Sequence, residues 1–302
     1  MIRQLKESVK KKMLCLTAEA MRDKITTLKY KGADVLIRLI ATDLDGTLLE
    51  PDGSLPEGTF ETIRALDECG IRFAASSGRQ YGNLARLFAP IADKMAFVCE
   101  NGAFCVVGGE EAGTIPIPAA MTQEIIADIE RLHMNLLISG KHTCYMLDSN
   151  RKYTDDIVYR LRNTVTMVSS VKDIAEPILK ISGQIDTGVA SIAPGLLEKW
   201  GNRLTATVSG REWFDFTIAN KGMGVEKLVM HMGLQKEEVA AFGDNFNDES
   251  MLDYVGHPFI METAHPDLHK PQYRICRKVI PVLREIISAK GNLDKVFPQI
   301  NG

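Results

Sequence analysis

Asp43 and Asp45 close the apolar run that leads into Ala41 Thr42 Asp43 Leu44 Asp45 Gly46 Thr47 with two carboxylates. On an extended chain, side chains two apart share one side and lie about 7 Å apart along the backbone. Two like charges so placed call for a cation, a proton or a reaction. Taken alone they also suit a strand followed by a turn, because Asp and Gly are turn formers. Four later stretches add usable groups: Ser77 Gly78 Arg79, Glu100 Asn101 Gly102, Lys221 Gly222 and Asp244 Asn245 Phe246 Asn247 Asp248. The carboxylates of Asp43, Asp45, Asp244 and Asp248 are hard oxygen donors with no accompanying His or Cys set, which selects a cation such as Mg²⁺. Lys221 and the Ser77 hydroxyl, with backbone N–H groups at Leu44 and Gly78, suit the oxygens of a phosphate. Singly, Lys221 Gly222 reads as a solvated turn, Ser77 Gly78 Arg79 as a loop, and Asp244–Asp248 as a helix start favoured by N-capping. Jointly they form a phosphate-handling set.

The elements that must position these groups alternate. Val35–Thr42 is predicted as a strand, Pro56–Glu68 as a helix with Pro at its start and Gly70 at its end. Ile71–Ser76 reads as a strand, Gln80–Phe88 as a helix, and Met95–Cys99 as a third strand. The rhythm changes between about Pro118 and Gly210, with a helix over Thr122–His133, a hairpin around Ser139 Gly140 Lys141 and a strand at Ile178–Ser182. It resumes with strand Trp213–Ala219, helix Gly224–Met232, strand Val239–Phe242, helix Asp248–Tyr254 and strand His257–Met261. Such alternation predicts an α/β fold: a doubly wound, mainly parallel Rossmann-like core sheet with an inserted α/β cap domain. The expected division is a basic N-terminal extension over 1–32, a discontinuous catalytic core over 33–118 and 211–302, and an inserted cap over 119–210. In sheets of this kind ligands bind beyond the carboxyl ends of the strands, where every motif above falls.

Composition narrows the function. With 302 residues, 45% of them hydrophobic, the chain can bury one large core or two modest ones. A formal net charge of -3 argues against a general nucleic-acid binder and toward small-molecule partners. Six cysteines without a CxxC pair suggest neither a zinc ribbon nor a disulfide framework, and suit a reducing cytoplasm. No run approaches the length of a membrane-spanning helix, and no signal-peptide pattern opens the sequence. The basic extension repeats Leu5, Val9, Met13, Leu16 and Ala20 at helical intervals, which permits an amphipathic helix or a loosely packed tail.

Asp43 Leu44 Asp45 Gly46 Thr47, Ser77 Gly78 Arg79, Lys221 Gly222 and Gly243–Asp248 resemble, in order, the four motifs of the haloacid-dehalogenase-like hydrolases. Asn101 Gly102 Ala103 adds a fifth matching element, and the insertion after the second motif looks like the Cof-type phosphatase subgroup with a C2-type cap. The resemblance spans about residues 35 to 285. It implies Mg²⁺-dependent hydrolysis of a small phosphate monoester, such as a sugar phosphate, nucleotide or cofactor phosphate, through a phosphoaspartyl intermediate. By the same resemblance Asp43 is the nucleophile and Asp45 the general acid and base. Mg²⁺ is then held by Asp43, the backbone carbonyl of Asp45, Asp244, and Asp248 directly or through water. Ser77 and Lys221 orient the phosphate, Asn247 and Asn101 are further substrate-binding candidates, and Arg79 is either a phosphate contact or an ion-pair partner.

The expected partner is a small phosphorylated metabolite, with no nucleic acid and no membrane span, and the protein a monomer or weak homo-oligomer. A phosphomutase of the same fold would return the phosphoryl group to substrate, and a receiver-like or non-catalytic phosphate-binding protein would use the same groups without turnover. Dehalogenation is disfavoured because Asp45 is an acid that a halide leaving group does not need. Glu262 and Thr263 stand where relatives usually carry Gly and Asn, which puts support for Asp244 or Lys221 in question. His265 and His269, four apart, could share a metal on a helix but have no Glu between them, so exposed or capping roles are expected.

Overall fold

The computed structural model describes residues 35–147, 153, 155, 157–158 and 162–297. The basic extension over 1–32 lies outside the described residues. In chain order the strands are β1 (Leu39–Thr42), β2 (Arg72–Ser76), β3 (Met95–Cys99), β4 (Phe104–Val107), β5 (Glu110–Thr114), β6 (Asn135–Ser139) and β7 (Cys144–Leu147), followed by β8 (Val165–Val168) and β9 (Lys180–Gln184). Then come β10 (Thr205–Val208), β11 (Trp213–Thr217), β12 (Val239–Gly243), β13 (His257–Met261) and β14 (Arg274–Cys276). The helices that matter below are α1 (Thr59–Glu68), α2 (Tyr81–Leu87), α3 (Ala119–Arg131), α4 (Ala193–Trp200), α5 (Lys221–Met232), α6 (Glu249–Tyr254) and α7 (Val279–Ser288).

Two sheets result. The larger runs β14-β13-β12-β1-β2-β3-β4-β5 and is parallel from β14 through β3, with β4 and β5 antiparallel at one edge. All four residues of β1 are buried because helices cover both faces. Alternate side chains divide between two cores: Ile40, Phe73, Ala75 and Phe97 pack with α1 and α7, whereas Leu39, Ala41, Ala74 and Ala96 pack with α5 and α6. Alanines on the second face let α5 lie close to the sheet. The doubly wound, mainly parallel core is therefore present.

The smaller sheet runs β10-β11-β9-β6-β7-β8, with α3 and α4 packed on one side through Ile125, Ile129, Leu196, Trp200, Phe214 and Phe216. Asp128 of α3 ties that layer together, accepting hydrogen bonds from Lys199 Nζ (2.5 Å) and Trp200 Nε1 (2.9 Å).

Two differences from the sequence expectation follow. The strand at Trp213 belongs to the smaller sheet, pairing antiparallel with β9 and β10, so the return to the larger sheet comes after Thr217 rather than at 211. Its alternating Phe214 and Phe216 would bury equally well against either sheet, and only the packing partners Ile181 and Trp200 choose. The β4–β5 hairpin is the second addition to the expected strands; its Gly108 and Gly109 turn has positive φ at both residues (57° and 86°), a conformation glycine adopts freely.

Candidate active site

At the end of β1 the backbone N–H of Asp43 donates to the carbonyl of Phe242 in β12 (2.9 Å), which carries the side chain past the strand. Leu44 then turns into the core and its carbonyl accepts from the N–H of Leu49 (2.8 Å), so the chain coils rather than staying extended. The two aspartates therefore do not share one strand face. Asp43 is 6% exposed, whereas the Asp45 side chain is 61% exposed. Gly46 sits at φ 90°, and a Cβ there would lie 2.3 Å from Asp244 Oδ2. Glycine is what admits Asp244 to this turn, where the Thr47 hydroxyl donates to its Oδ1 (2.7 Å).

Beyond β12, Asp248 is completely buried and its Oδ2 accepts the N–H groups of Asp244 (3.1 Å) and Asn245 (3.0 Å). Its Oδ1 accepts from Lys221 Nζ at 2.6 Å, and the same ammonium donates to Asp43 Oδ1 at 2.5 Å. Lys221 opens α5, 1% exposed, with the Asn220 side chain capping the helix through the N–H of Met223 (2.9 Å). Oxygens of Asp43, Asp244 and Asp248 come within 4.8 Å of one another, which makes three carboxylates around one ammonium.

The charge imbalance is visible in the acidities. Burial pushes the Asp43 carboxyl up to about 7; Lys221 pulls it down, and Asp248 and Asp244 push it further up. Burial also raises Asp244, against the hydrogen bond from Thr47. Lys221 would be depressed by burial, but Asp248 and Asp43 outweigh that and raise it to about 12, so it stays an ammonium. A hard divalent cation fits this donor set, since it would neutralise the excess charge and meet only oxygen ligands. Both Asp248 oxygens are already engaged by Lys221 and two backbone N–H groups, which suits it to holding the lysine and the Asp244 turn.

The loop after β2 completes the site. Ser77 is buried, its N–H donating to the carbonyl of Val98 (2.8 Å) and its Oγ accepting the N–H of Arg79 (3.3 Å). The Arg79 guanidinium grips Asp45 with two bonds, Nη2 to Oδ1 at 2.5 Å and Nε to Oδ2 at 3.1 Å. Asn101, at φ 55°, donates its N–H to the Ser77 carbonyl (3.1 Å) and accepts from Asn247 Nδ2 (3.4 Å). Asp45, Ser77, Gly78, Arg79, Asn101 and Asn247 all face a cleft of about 1650 Å³ walled on the other side by the smaller sheet.

Glu262 is instead on the surface, paired with Arg277 (3.0 Å), away from Asp244 and Lys221. His265 caps a short turn, its Nδ1 accepting from the N–H of Asp267 (3.3 Å), and His269 bonds the Ala264 carbonyl. Two contributors escaped the sequence reading: the Thr47 hydroxyl on Asp244, and Asp215, which with Glu100 flanks Lys180 (Nζ to Asp215 Oδ2 3.6 Å, to Glu100 Oε2 2.6 Å). Thr47 stood beside a motif and could have been named. No spacing joins 100, 180 and 215.

Comparison with known proteins follows the same lines. The family model described as haloacid dehalogenase-like hydrolase matches residues 40–279. A 5-amino-6-(5-phospho-D-ribitylamino)uracil phosphatase, YbjI, of Escherichia coli K12 is 28% identical over 236 residues, covering 76% of this chain and 86% of its own. An HMP-PP phosphatase of Escherichia coli O6:H1 is 26% identical over 251 residues, covering 80% and 92%. Among solved structures, a haloacid dehalogenase-like hydrolase from Bacteroides thetaiotaomicron superposes with TM-score 0.71 at 21% identity, covering 83% of this chain and 99% of that one. A HAD subclass IIB sugar phosphatase superposes with TM-score 0.67 at 22% identity, covering 86% and 98%.

Proposed function

The chain belongs to the haloacid dehalogenase-like hydrolases, and from that premise we propose that it is a Mg²⁺-dependent phosphatase of small phosphate monoesters. The observation that carries the reading is the buried junction of Asp43, Lys221, Asp248 and Asp244 at the carboxyl ends of β1 and β12. Asp43 and Asp244, with the backbone carbonyl of Asp45, would hold the cation, Asp248 supporting them directly or through water. When bound, Mg²⁺ supplies charge neutralisation that lets a carboxylate approach a phosphate dianion.

An Asp43 oxygen attacks phosphorus in line while the bond from phosphorus to the leaving oxygen breaks, and Asp45 gives that oxygen its proton. Asp45, now a carboxylate, takes a proton from water as the water oxygen attacks the aspartyl phosphate. The bond from phosphorus to Asp43 breaks and inorganic phosphate leaves. Lys221 and the Ser77 hydroxyl stabilise the charge gathered on the phosphoryl oxygens, with N–H groups of Leu44 and Gly78 alongside and Asn101 and Asn247 at the rim. Arg79 bonds both oxygens of Asp45 and so orients the carboxyl that exchanges the proton with the leaving group.

The smaller sheet, taken as a cap over about 119–217, would exclude water and select the leaving group. Two relatives bear names of phosphatases for 5-amino-6-(5-phospho-D-ribitylamino)uracil and for HMP-PP, which supports small phosphorylated metabolites as the first substrates to try. Hydrolysis of an aryl phosphate and of such metabolites should require Mg²⁺ and disappear in Asp43→Asn. Turnover that survives the substitution sinks the nucleophile assignment, and a sugar phosphate isomerised without phosphate release would point to the mutase instead.

A further inference from the structure

We infer that Lys180, on β9 of the smaller sheet, is a positioning residue for Ser77: it fixes the Gly78–Arg79 peptide and thereby links seating of that sheet to the phosphate loop. The inference rests on the phosphatase reading above. Lys180 Nζ donates to the Gly78 carbonyl at 3.3 Å. The N–H of the same peptide group, that of Arg79, donates to Ser77 Oγ at 3.3 Å. A peptide unit is planar and trans, so its C=O and N–H point opposite ways and cannot turn separately. Holding one end therefore aims the other. With Ser77 Oγ already accepting from Arg79, the hydroxyl proton remains to be donated, and the phosphate is the acceptor the reading provides.

The lysine is itself held from both sheets. Glu100 Oε2, at the end of β3, lies 2.6 Å from Nζ, and Asp215 Oδ2 of β11 lies 3.6 Å away. The Glu100 backbone is bound into the same loop, at φ 50° with its N–H on the carbonyl of Arg79 (3.1 Å). The two carboxylates keep the half-buried Lys180 charged, raising it against the opposing effect of burial. Further along, Gln80 Oε1 accepts the N–H of Thr164 (3.2 Å) and Asn83 Nδ2 donates to Asn163 Oδ1 (2.7 Å), so α2 continues the same seam. A lysine tying two layers together would need only the carboxylates. The bond to Gly78 is the feature that reaches the site.

A double-mutant cycle tests it. Lys180→Met, Ser77→Ala and the pair are compared by the Kd for inorganic phosphate with Mg²⁺ present and by kcat/KM on an aryl phosphate. Because Lys180→Met strands two buried carboxylates, Glu100→Gln/Lys180→Met is run in parallel, keeping the cluster's net charge at that of the wild type. Loss of Lys180 should weaken phosphate binding and kcat/KM about tenfold when Ser77 is present and less than about twofold in Ser77→Ala, because coupled residues are non-additive. Lys180→Arg should recover part of the loss. Equal losses in both backgrounds, or a charge-balanced variant that binds phosphate like wild type, overturn the inference. Normal phosphate binding with no Asp43-dependent turnover would overturn the phosphatase reading and leave the cycle to be scored on Kd alone, while a wild type that binds no phosphate overturns both.

Discussion

Replacing Asp43 by asparagine removes a charge and keeps the shape, so it separates the cost of that charge from its use. Without a bound cation Asp43 is buried beside Asp244 and Asp248 and shares one ammonium with Asp248, and its carboxyl rises from 3.8 to about 7. A tenfold change in acid strength is worth about 1.36 kcal/mol, so ionising Asp43 inside the fold costs at most about 4 kcal/mol more than in the unfolded chain. Because the folded value lies above the unfolded one, the fold is favoured fully below about 3.8 and loses that advantage as pH climbs through about 7. The D43N protein lacks this term. In chelator at pH 8 it should melt above wild type, by up to about 8 °C at about 2 °C per kcal/mol, and by less than half as much at pH 5. Added Mg²⁺ should raise the wild-type midpoint at pH 8 and move D43N much less. Thermal melts by circular dichroism read all of this while turnover is lost. A gap between the two proteins that is the same at both pH values, or D43N melting below wild type at pH 8, refutes the account.

Lys221→Met leaves Asp43 and Asp248 buried without their cation and should cost about 3–5 kcal/mol in urea unfolding; a midpoint like wild type would show that the ammonium is not their compensation. Gly46→Ala places a Cβ 2.3 Å from Asp244 Oδ2 at φ 90° and should weaken Mg²⁺ at least about tenfold by calorimetry, so unchanged affinity removes Asp244 from the site. Asp45→Asn, on a 61% exposed side chain, should leave the melting temperature within about 1 °C and slow turnover about 10²- to 10⁴-fold. Quenched-flow measurement should find both formation and hydrolysis of the aspartyl phosphate slower, and a defect confined to one step would divide the acid and base roles between residues.

Much of the candidate site was legible because most of its motifs follow a strand of the larger sheet and the rule about carboxyl ends turns sequence order into proximity. Asp43, Ser77, Asp244 and Asp248 fall where that rule puts them, whereas Lys221 opens α5 after β11 of the smaller sheet. What it could not reveal was anything depending on which surface a strand chooses. Phe214 and Phe216 alternate as they would in either sheet, and only Ile181 and Trp200 decide that β11 stays in the smaller one. Glu100, Lys180 and Asp215 come from three separated elements and meet because those elements pack.

The amino-acid sequence alone determined the alternation of strand and helix, the order of the motifs and the donor chemistry, all of which are set by local periodicity and residue type. Tertiary structure decided the unequal fates of the first two carboxylates. The coil at Leu44 ends the shared face, leaving Asp43 buried on Lys221 and Asp45 exposed on Arg79. Two residues apart, they differ because hydration and partners are properties of the packed surroundings, and no spacing records them.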